Sequence, residues 1–295
     1  MTRGERRTLF IGLAFISPWI MGFLLMTLYP VLATIYYSFC DYALLSEPIW
    51  IGTLNYRDMA TDQVFWQSLS NTIYYAAIAI PVGLLVSFLI AVMLNQAFIA
   101  RSAFRTIYFL PSMVPFVAVA MIWLWVFHGQ FGLLNYALER IGLQGPNWLA
   151  DERYTKPALI IMSIWSIGGA MVICLAALQD VPRQLYESAQ LDGASFMRQL
   201  WHITVPMISP VLYFNLIMGI IGSLQLFVQP FIMFGSDGGP NRSALFYAVY
   251  LYENAFSYGN MGYACALAWV LFMLIVALTW VATRTTRKRI YYAGE

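Results

Sequence analysis

The chain has 295 residues, of which 61% are hydrophobic and only 10% are charged, and its formal net charge is +2. Soluble domains carry about a quarter charged residues, so this composition excludes an ordinary soluble globular fold. The small net charge gives no reason to expect nucleic-acid binding. Three scattered cysteines and two distant histidines suggest neither a disulfide framework nor a metal site. The composition predicts an all-α polytopic membrane protein.

Six apolar segments are each long enough to cross a bilayer, which takes about 20 helical residues. They lie near 9–39, 71–95, 106–127, 157–179, 207–233 and 261–283. Pro18 and Pro30 predict a kink or an interfacial turn in the first segment, which is too long for the apolar core of a cleavable signal peptide. The whole chain, 1–295, is expected to form one transmembrane domain.

The basic residues predict the orientation of these spans, because cytoplasmic loops carry an excess of lysine and arginine. With a cytoplasmic N-terminus, eleven of the 16 basic residues face inwards. These are Arg3, Arg6, Arg7, Arg101, Arg105, Arg183, Arg198, Arg284, Arg287, Lys288 and Arg289. We therefore expect both termini and the segment 180–206 in the cytoplasm. In the outer loop 129–156, the apolar pattern predicts a short interfacial helix.

The six segments contain no Asp, Glu, Lys, Arg or His. Proton- and ion-coupled transporters generally use charged groups within the membrane, and a membrane enzyme would need a catalytic set of such groups. This pattern argues against ion coupling and against enzyme chemistry within the membrane. If the protein moves a solute uphill, we expect the energy to come from outside the bilayer. An ion-coupled secondary transporter of a neutral polar solute stays as the alternative, because backbone carbonyls can also bind sodium.

At 100° per residue, the fifth segment carries small and polar residues within an arc of about 120°. They are Asn215, Gly219, Gly222, Gln225 and Gln229. Such a stripe packs against another helix or lines a water-filled path, where amides could bind a neutral polyhydroxylated ligand. In the fourth segment, Ser163 and Trp165 offer a hydroxyl and an aromatic face. The candidate solute-path residues are Ser163, Trp165, Asn215, Gly222, Gln225 and Gln229.

Residues 180–206 form a polar interruption between two apolar segments and predict a helical hairpin outside the bilayer. Asp180 and Pro182 suit the start of its first helix, and Gly193 suits the left-handed position after its end. Val181, Leu185 and Ala189 are expected to face the membrane helices. Phe196, Leu200 and Ile203 predict a second short helix that ends before the next span.

This hairpin resembles the EAA loop, which identifies membrane subunits of binding-protein-dependent ABC importers. Glu187-Ser188-Ala189 is followed after three residues by Gly193, and nine further residues lead to Ile203-Thr204-Val205-Pro206. Ser188 and Val205 depart slightly from the usual Ala and Leu. Three other segments, 50–56, 105–111 and 235–240, resemble stretches of permeases from carbohydrate importers of the maltose and glycerol-3-phosphate type. The resemblance covers essentially the whole chain.

The resemblance implies the type I importer permease fold, with six transmembrane helices and a cytoplasmic coupling helix. It also implies several partners: a second homologous permease, two cytoplasmic ATPases and an external solute-binding protein. The ATPase-docking residues would be Tyr186, Glu187, Ala189, Asp192, Gly193 and Ala194. ATP and Mg²⁺ would bind the ATPases, since this chain lacks a phosphate-binding glycine loop with lysine.

The same resemblance implies an oligosaccharide or related neutral sugar as the solute. The spans support this, because they offer amides, hydroxyls and aromatic rings but no cation for an anionic ligand. The expected location is the cytoplasmic membrane of a bacterium or archaeon. The particular sugar does not follow from the sequence, since recognition in this family lies largely with the external protein.

Overall fold

The computed structural model describes residues 3–96 and 99–286, and most of these are helical. The α-helices are α1 (Arg3–Phe23), α2 (Tyr29–Ser38), α3 (Leu54–Thr61), α4 (Gln63–Asn95), α5 (Arg101–Phe109), α6 (Phe116–Val126), α7 (Leu133–Arg140), α8 (Glu152–Trp165), α9 (Gly168–Asp180), α10 (Arg183–Leu191), α11 (Phe196–Gln199), α12 (Val205–Met207), α13 (Ser209–Leu224), α14 (Val228–Phe234), α15 (Tyr247–Tyr252) and α16 (Met261–Thr286). Three π-helical segments are Leu24–Leu28, Leu200–Thr204 and Glu253–Ser257, and two 3₁₀ turns are Leu110–Met113 and Pro240–Arg242. Two short strands, β1 (Cys40–Asp41) and β2 (Ile49–Trp50), pair antiparallel.

Four helical stretches are long and apolar enough to cross a membrane: Phe10–Ser38, Gln63–Asn95, Ser209–Phe234 and Met261–Thr286. Two further spans are bent pairs, in which two shorter helices meet at a break. With each pair counted as one crossing, the described residues contain six candidate spans. The six-span, all-α prediction is therefore confirmed.

Proline accounts for the irregularity in the first span. Pro18 lies inside α1, and Pro30 is the second residue of α2, which directly follows the π-helical segment Leu24–Leu28. A proline lacks the N–H that continues the helical ladder, and a π-bulge lets the helix continue past that gap. The predicted kink or turn is thus a bulge within a continuous helix.

The third predicted span, 106–127, is not one helix. α5 and its 3₁₀ extension meet α6 at an angle of 102°, with Val114 and Pro115 in extended conformations. The residue before a proline disfavours the helical region, so Pro115 breaks the helix here. The fourth span bends by 45° between α8 and α9.

Two compact units divide the chain, one made of residues up to 62 and 251–270, the other of 63–250 and those from 271 onwards. In the first unit the Asn55 amide donates to the carbonyls of Ser38 and Cys40, and Tyr263 donates to Asp62. The single-domain expectation stays a prediction.

In the second unit the long helix α4 packs against α8, α9 and α13. The predicted short helix in loop 129–156 is confirmed as α7. Arg287, Lys288 and Arg289, which contribute to the predicted orientation, lie outside the described residues.

Candidate docking hairpin and solute path

The hairpin follows α9 without a helical connection. Asp180 is the last residue of α9, Val181 is extended, and Pro182 precedes α10 without a side-chain cap. The expectation that Asp180 caps the hairpin helix is therefore wrong. The restricted φ of Pro182 sets the start of α10 instead.

Gly193 ends α10 as the sequence predicts. Its φ is +74°, and its N–H donates to the carbonyl of Gln190 at 3.0 Å, while the Ala194 N–H donates to Ala189 at 2.9 Å. These two bonds form a complete Schellman motif, which satisfies carbonyls that the helix end leaves free. Gln199 Nε2 also donates to the Ala194 carbonyl at 2.9 Å and ties the second helix to the turn.

Replacing Gly193 by alanine should loosen this turn through backbone strain alone. A Cβ at this position meets no atom within 4 Å, but a left-handed conformation costs an L-residue about 1 kcal/mol. We expect the Ala194 amide in Gly193→Ala to exchange hydrogen about fivefold faster than in the parent. Gly193→Asn should show a smaller effect, because Asn tolerates this conformation. If the Ala194 amide exchanged hydrogen equally slowly in the alanine variant and the parent, the turn would not require glycine at position 193.

One side of the hairpin is part of the protein core. Val181 and Leu200 are buried in a cluster with residues of α4 and α9 and with Ile208, which follows the hairpin. Tyr186 packs against this cluster, and its hydroxyl hydrogen-bonds Thr204 Oγ1 at 2.9 Å. The hairpin is thus fixed to the membrane helices, as expected from its apolar residues.

The residues on that inward side differ from the expectation. Leu185, expected inwards, is exposed, whereas Tyr186, expected on the docking surface, is half-buried. The four-residue period was counted from Val181, which lies outside α10 because Pro182 starts the helix. Ala189 and Ala194 are half-buried beside the turn.

The outward side of the hairpin, which we call the crest, is acidic and apolar. Glu187, Asp192 and Gly193 are exposed as the sequence predicts. Leu191 is 90% exposed and lies one helical turn after Glu187. Three further apolar side chains on the second helix are also exposed: Phe196, Met197 and Trp201. Sequence analysis missed Leu191. Its position directly before the Asp192-Gly193 turn was the only feature of the sequence that could have indicated a surface role.

Between α4, α8, α9 and α13 lies a cavity of about 390 Å³. Two of the candidate path residues, Ser163 and Asn215, line it. Tyr75 and Ser223 add two more hydroxyl groups that sequence analysis missed. Single hydroxyl residues within apolar helices carry no periodic pattern, so nothing distinguished these two in the sequence.

Asn215 is 7% exposed, and its amide nitrogen contacts the neighbouring helix. Its Nδ2 lies 3.3 Å from Cys174 Sγ and 3.4 Å from the Ala170 carbonyl, both on α9. This is the arrangement of a packing contact. The described residues contain no cluster of three or more His, Cys, Asp or Glu side chains suited to a metal ion.

The other four path candidates do not line this cavity. Trp165 packs edge-to-face on Trp123, with ring centroids 6.2 Å apart. Gly222 and Gln225 are exposed, and Gln229 is half-buried on α14. α13 ends at Leu224, so the predicted arc from Asn215 to Gln229 does not lie on the face of one helix. The predicted stripe reduces to the part on α13 and to Gln225, the residue that directly follows this helix.

Comparison with known proteins gives relatives that match nearly the whole chain. It is 36% identical over 297 residues to the probable ABC transporter permease protein YesP of Bacillus subtilis, covering 100% of this chain and 96% of that protein. It is 34% identical to the sulfoquinovosyl glycerol transport system permease protein SmoG of Agrobacterium fabrum, covering 90% and 86%. It is 31% identical to the lactose transport system permease protein LacF of Rhizobium radiobacter, covering 94% of each.

The fold has a close counterpart among solved structures. A chain of the bacterial alginate ABC transporter, solved in complex with its alginate pentasaccharide-bound periplasmic protein, superposes with a TM-score of 0.86. It is 23% identical and the match covers 97% of this chain and 96% of that chain. The type I importer permease fold is therefore confirmed.

The family model described as binding-protein-dependent transport system inner membrane component matches residues 79–290. This range includes the hairpin and every residue that lines the cavity except Tyr75. The chain belongs to the family of inner membrane permease components of binding-protein-dependent ABC transport systems.

Proposed function

We propose that this chain forms half of the translocation path of an ATP-driven importer for a sugar or oligosaccharide. An external solute-binding protein delivers the solute, and a second homologous permease completes the path. The names of several relatives support a carbohydrate, among them permeases for lactose, sulfoquinovosyl glycerol and arabinooligosaccharides. The observation that carries the proposal is the hairpin, whose inner side is part of the core and whose crest is exposed.

The crest suits docking of a cytoplasmic ATPase. Exposed Leu191 beside Glu187 and Asp192 combines an apolar anchor with acidic groups. Exposed apolar patches with a polar rim mark protein interaction sites, and anchors of this kind dominate interface energies. Tyr186 then positions the hairpin through Thr204, while Glu187, Asp192 and Leu191 make the contact with the ATPase.

The core contacts of the hairpin explain how ATP hydrolysis elsewhere would move the spans. Val181 and Leu200 bury the hairpin against α4 and α9, and a close-packed core transmits displacement rather than absorbing it. A movement of the crest therefore shifts these helices together. ATP and Mg²⁺ belong to the ATPases in this proposal, and this chain itself binds no cofactor.

The solute path would run along the exposed side of α13. Gln225 is exposed at the end of α13 within a candidate span, and an amide in hydrocarbon needs a hydrogen-bond partner. A water-filled path or the second permease supplies such partners. The cavity lined by Tyr75, Ser163 and Ser223 adds hydroxyl groups near this surface.

Gln225→Leu tests this path. If the amide bonds the solute, its loss removes about 1 kcal/mol of stabilisation and should lower uptake about fivefold. Gln225→Asn, which keeps the amide, should retain most of the uptake. ATPase co-purification should be unchanged in both variants. Uptake equal to the parent in Gln225→Leu would mean that Gln225 only packs.

Both termini would face the cytoplasm, since the hairpin and most basic residues lie on one side of the spans under this topology. The same orientation places loop 129–156 outside. Labelling of single introduced cysteines with a membrane-impermeant maleimide, at positions 139 and 188, would measure this. Labelling of intact cells is expected at 139 alone.

Co-purification tests the proposed function as a whole. The tagged chain is extracted from native membranes in mild detergent, and the proteins bound to it are identified by mass spectrometry. We expect an ATPase and a second, related permease. Recovery of the chain alone, under conditions in which a known importer complex survives, would contradict the proposal and favour the ion-coupled alternative.

A further inference from the structure

Two arginines at the start of α5 meet at one neutral acceptor. With the Gln179 amide turned so that its oxygen faces them, Arg101 Nη2 donates at 2.7 Å and Arg105 Nη2 at 3.1 Å. Within residues 3–96 and 99–286, neither guanidinium has a carboxylate partner. Two positive charges therefore share a single uncharged oxygen.

This arrangement leaves positive charge uncompensated. The Nε–H groups of Arg101 and Arg105 are both buried without an acceptor, and a buried unpaired donor is costly. Arg101 is also the first residue of α5, where the helix dipole is positive and disfavours another cation. An anion at this position would relieve all of these costs at once.

An apolar groove continues from the arginine pair along the same helix. At 100° per residue, Arg101, Phe104, Arg105 and Tyr108 lie within an arc of roughly 100° on α5. The groove has a volume of about 370 Å³ and lies between α5 and the end of α4. Its lining residues are Ile90, Met93, Leu94, Gln96, Phe104 and Tyr108. Met93, Phe104 and Tyr108 are all exposed in it.

Along α5 the arginine pair comes first and the apolar groove follows, which is the order of the headgroup and the acyl chains in a membrane lipid. α5 begins beside the C-terminal end of α9, where the hairpin also starts, because both arginines reach Gln179 there, and α5 then runs towards the interior of the third span. The cations thus lie at the membrane surface and the groove lies deeper. Basic pockets between spans on the cytoplasmic side bind anionic headgroups, and an acyl chain gains by covering apolar surface.

We propose that the Arg101–Arg105 pair and the adjoining groove bind one anionic phospholipid, with its phosphate on the guanidinium groups and an acyl chain against Phe104 and Tyr108. The proposal rests on the proposed orientation of α5 in the membrane and not on the identity of the solute. Gln179 lies at the end of α9, four residues before α10 begins. A bound lipid would therefore steady the helix that carries the hairpin.

Binding of defined lipids to the purified transport complex tests this site. The complex is delipidated in detergent, and thermal unfolding is followed with added phosphatidylglycerol, phosphatidylcholine or inorganic phosphate. We expect phosphatidylglycerol alone to raise the unfolding temperature of the parent. In Arg101→Gln/Arg105→Gln the apparent affinity for phosphatidylglycerol should fall at least tenfold, because each arginine near an anionic headgroup contributes to binding.

Two matched variants keep the test specific. Arg284→Gln removes an arginine that lies over the Trp280 ring near the end of α16, and it should keep the full response to phosphatidylglycerol. Arg101→Lys/Arg105→Lys preserves charge without the guanidinium fork, so an intermediate affinity is expected even if the glutamine variant folds poorly.

Three results would overturn the proposal. The first is an equal response to phosphatidylcholine in the parent, and the second is a response to inorganic phosphate as large as that to phosphatidylglycerol. The third is an unchanged preference for phosphatidylglycerol in the lysine and glutamine variants. Loss of the ATPases from the glutamine variant with its lipid response intact would instead assign the arginines to an acidic protein partner.

Discussion

Gly168→Ala should destabilise the protein by about 2 kcal/mol or more, measured as the free energy of unfolding in detergent. Gly168 begins α9 at the bend of the fourth span, and a Cβ there would lie 2.4 Å from the Tyr108 carbonyl oxygen and 2.9 Å from Phe109 Cα. Both are backbone atoms at the end of α5, so they cannot move aside as the tip of a side chain could. The clash can be relieved only if the third and fourth spans move apart.

The neighbouring glycine provides a matched control. Gly169 lies in the same turn of α9, but a Cβ on it meets no atom within 4 Å. Gly169→Ala should therefore leave stability unchanged or raise it by up to about 1 kcal/mol, because alanine is the better helix former. A similar loss in both variants would mean that helix bending at residues 166–169, and not close packing on α5, requires the glycines.

The turn at Gly193 could be predicted because local rules determine it. A helix that ends in Asp-Gly needs a residue with positive φ, and glycine supplies it at little cost. The number of spans could be predicted for a similar reason, since apolar length alone decides whether a helix can cross the bilayer. Both properties depend on residues close in sequence, and both are present in the structure.

Other features depend on where a helix stops, and there the periodic pattern failed. A four-residue period that begins at Val181 predicts that Leu185 faces the core. Because Pro182 delays the start of α10 until Arg183, Tyr186 faces the core instead. Counting to Gln229 assumed one helix, whereas α13 ends at Leu224. The break before Pro115 follows from a rule about residues that precede proline, which the apolar length of the third span concealed.

The candidate site was predicted in part for the same reason. The acidic crest residues Glu187 and Asp192 follow from the motif, and both are exposed. Leu191 does not follow from hydrophobic periodicity, because an apolar residue is ordinarily assigned to the core. In the structure it lies outside, at 90% exposure.

Glu187→Ala should lower solute uptake at least tenfold while the protein still inserts into the membrane. Glu187 is exposed on the crest and fixed by α10, whose end is closed by the Gly193 turn. Loss of a charged hydrogen bond at an interface costs about 1.5–3 kcal/mol, which corresponds to a tenfold or greater loss of ATPase affinity. Uptake in membrane vesicles and the amount of ATPase that co-purifies with the tagged chain are the two measurements.

A variant of the adjacent residue, Ser188, is the control that distinguishes a loss of docking from a loss of helix stability. Ser188 Oγ donates to the Leu185 carbonyl within its own helix, so Ser188→Ala should keep both uptake and ATPase binding. Leu191→Ala should reduce ATPase binding as Glu187→Ala does, since an exposed apolar anchor and its acidic neighbour belong to one contact surface. Normal uptake and normal co-purification in Glu187→Ala would remove Glu187 from the docking surface. If Leu191→Ala alone were defective, the contact would be apolar and centred on the C-terminal end of α10, without a contribution from Glu187.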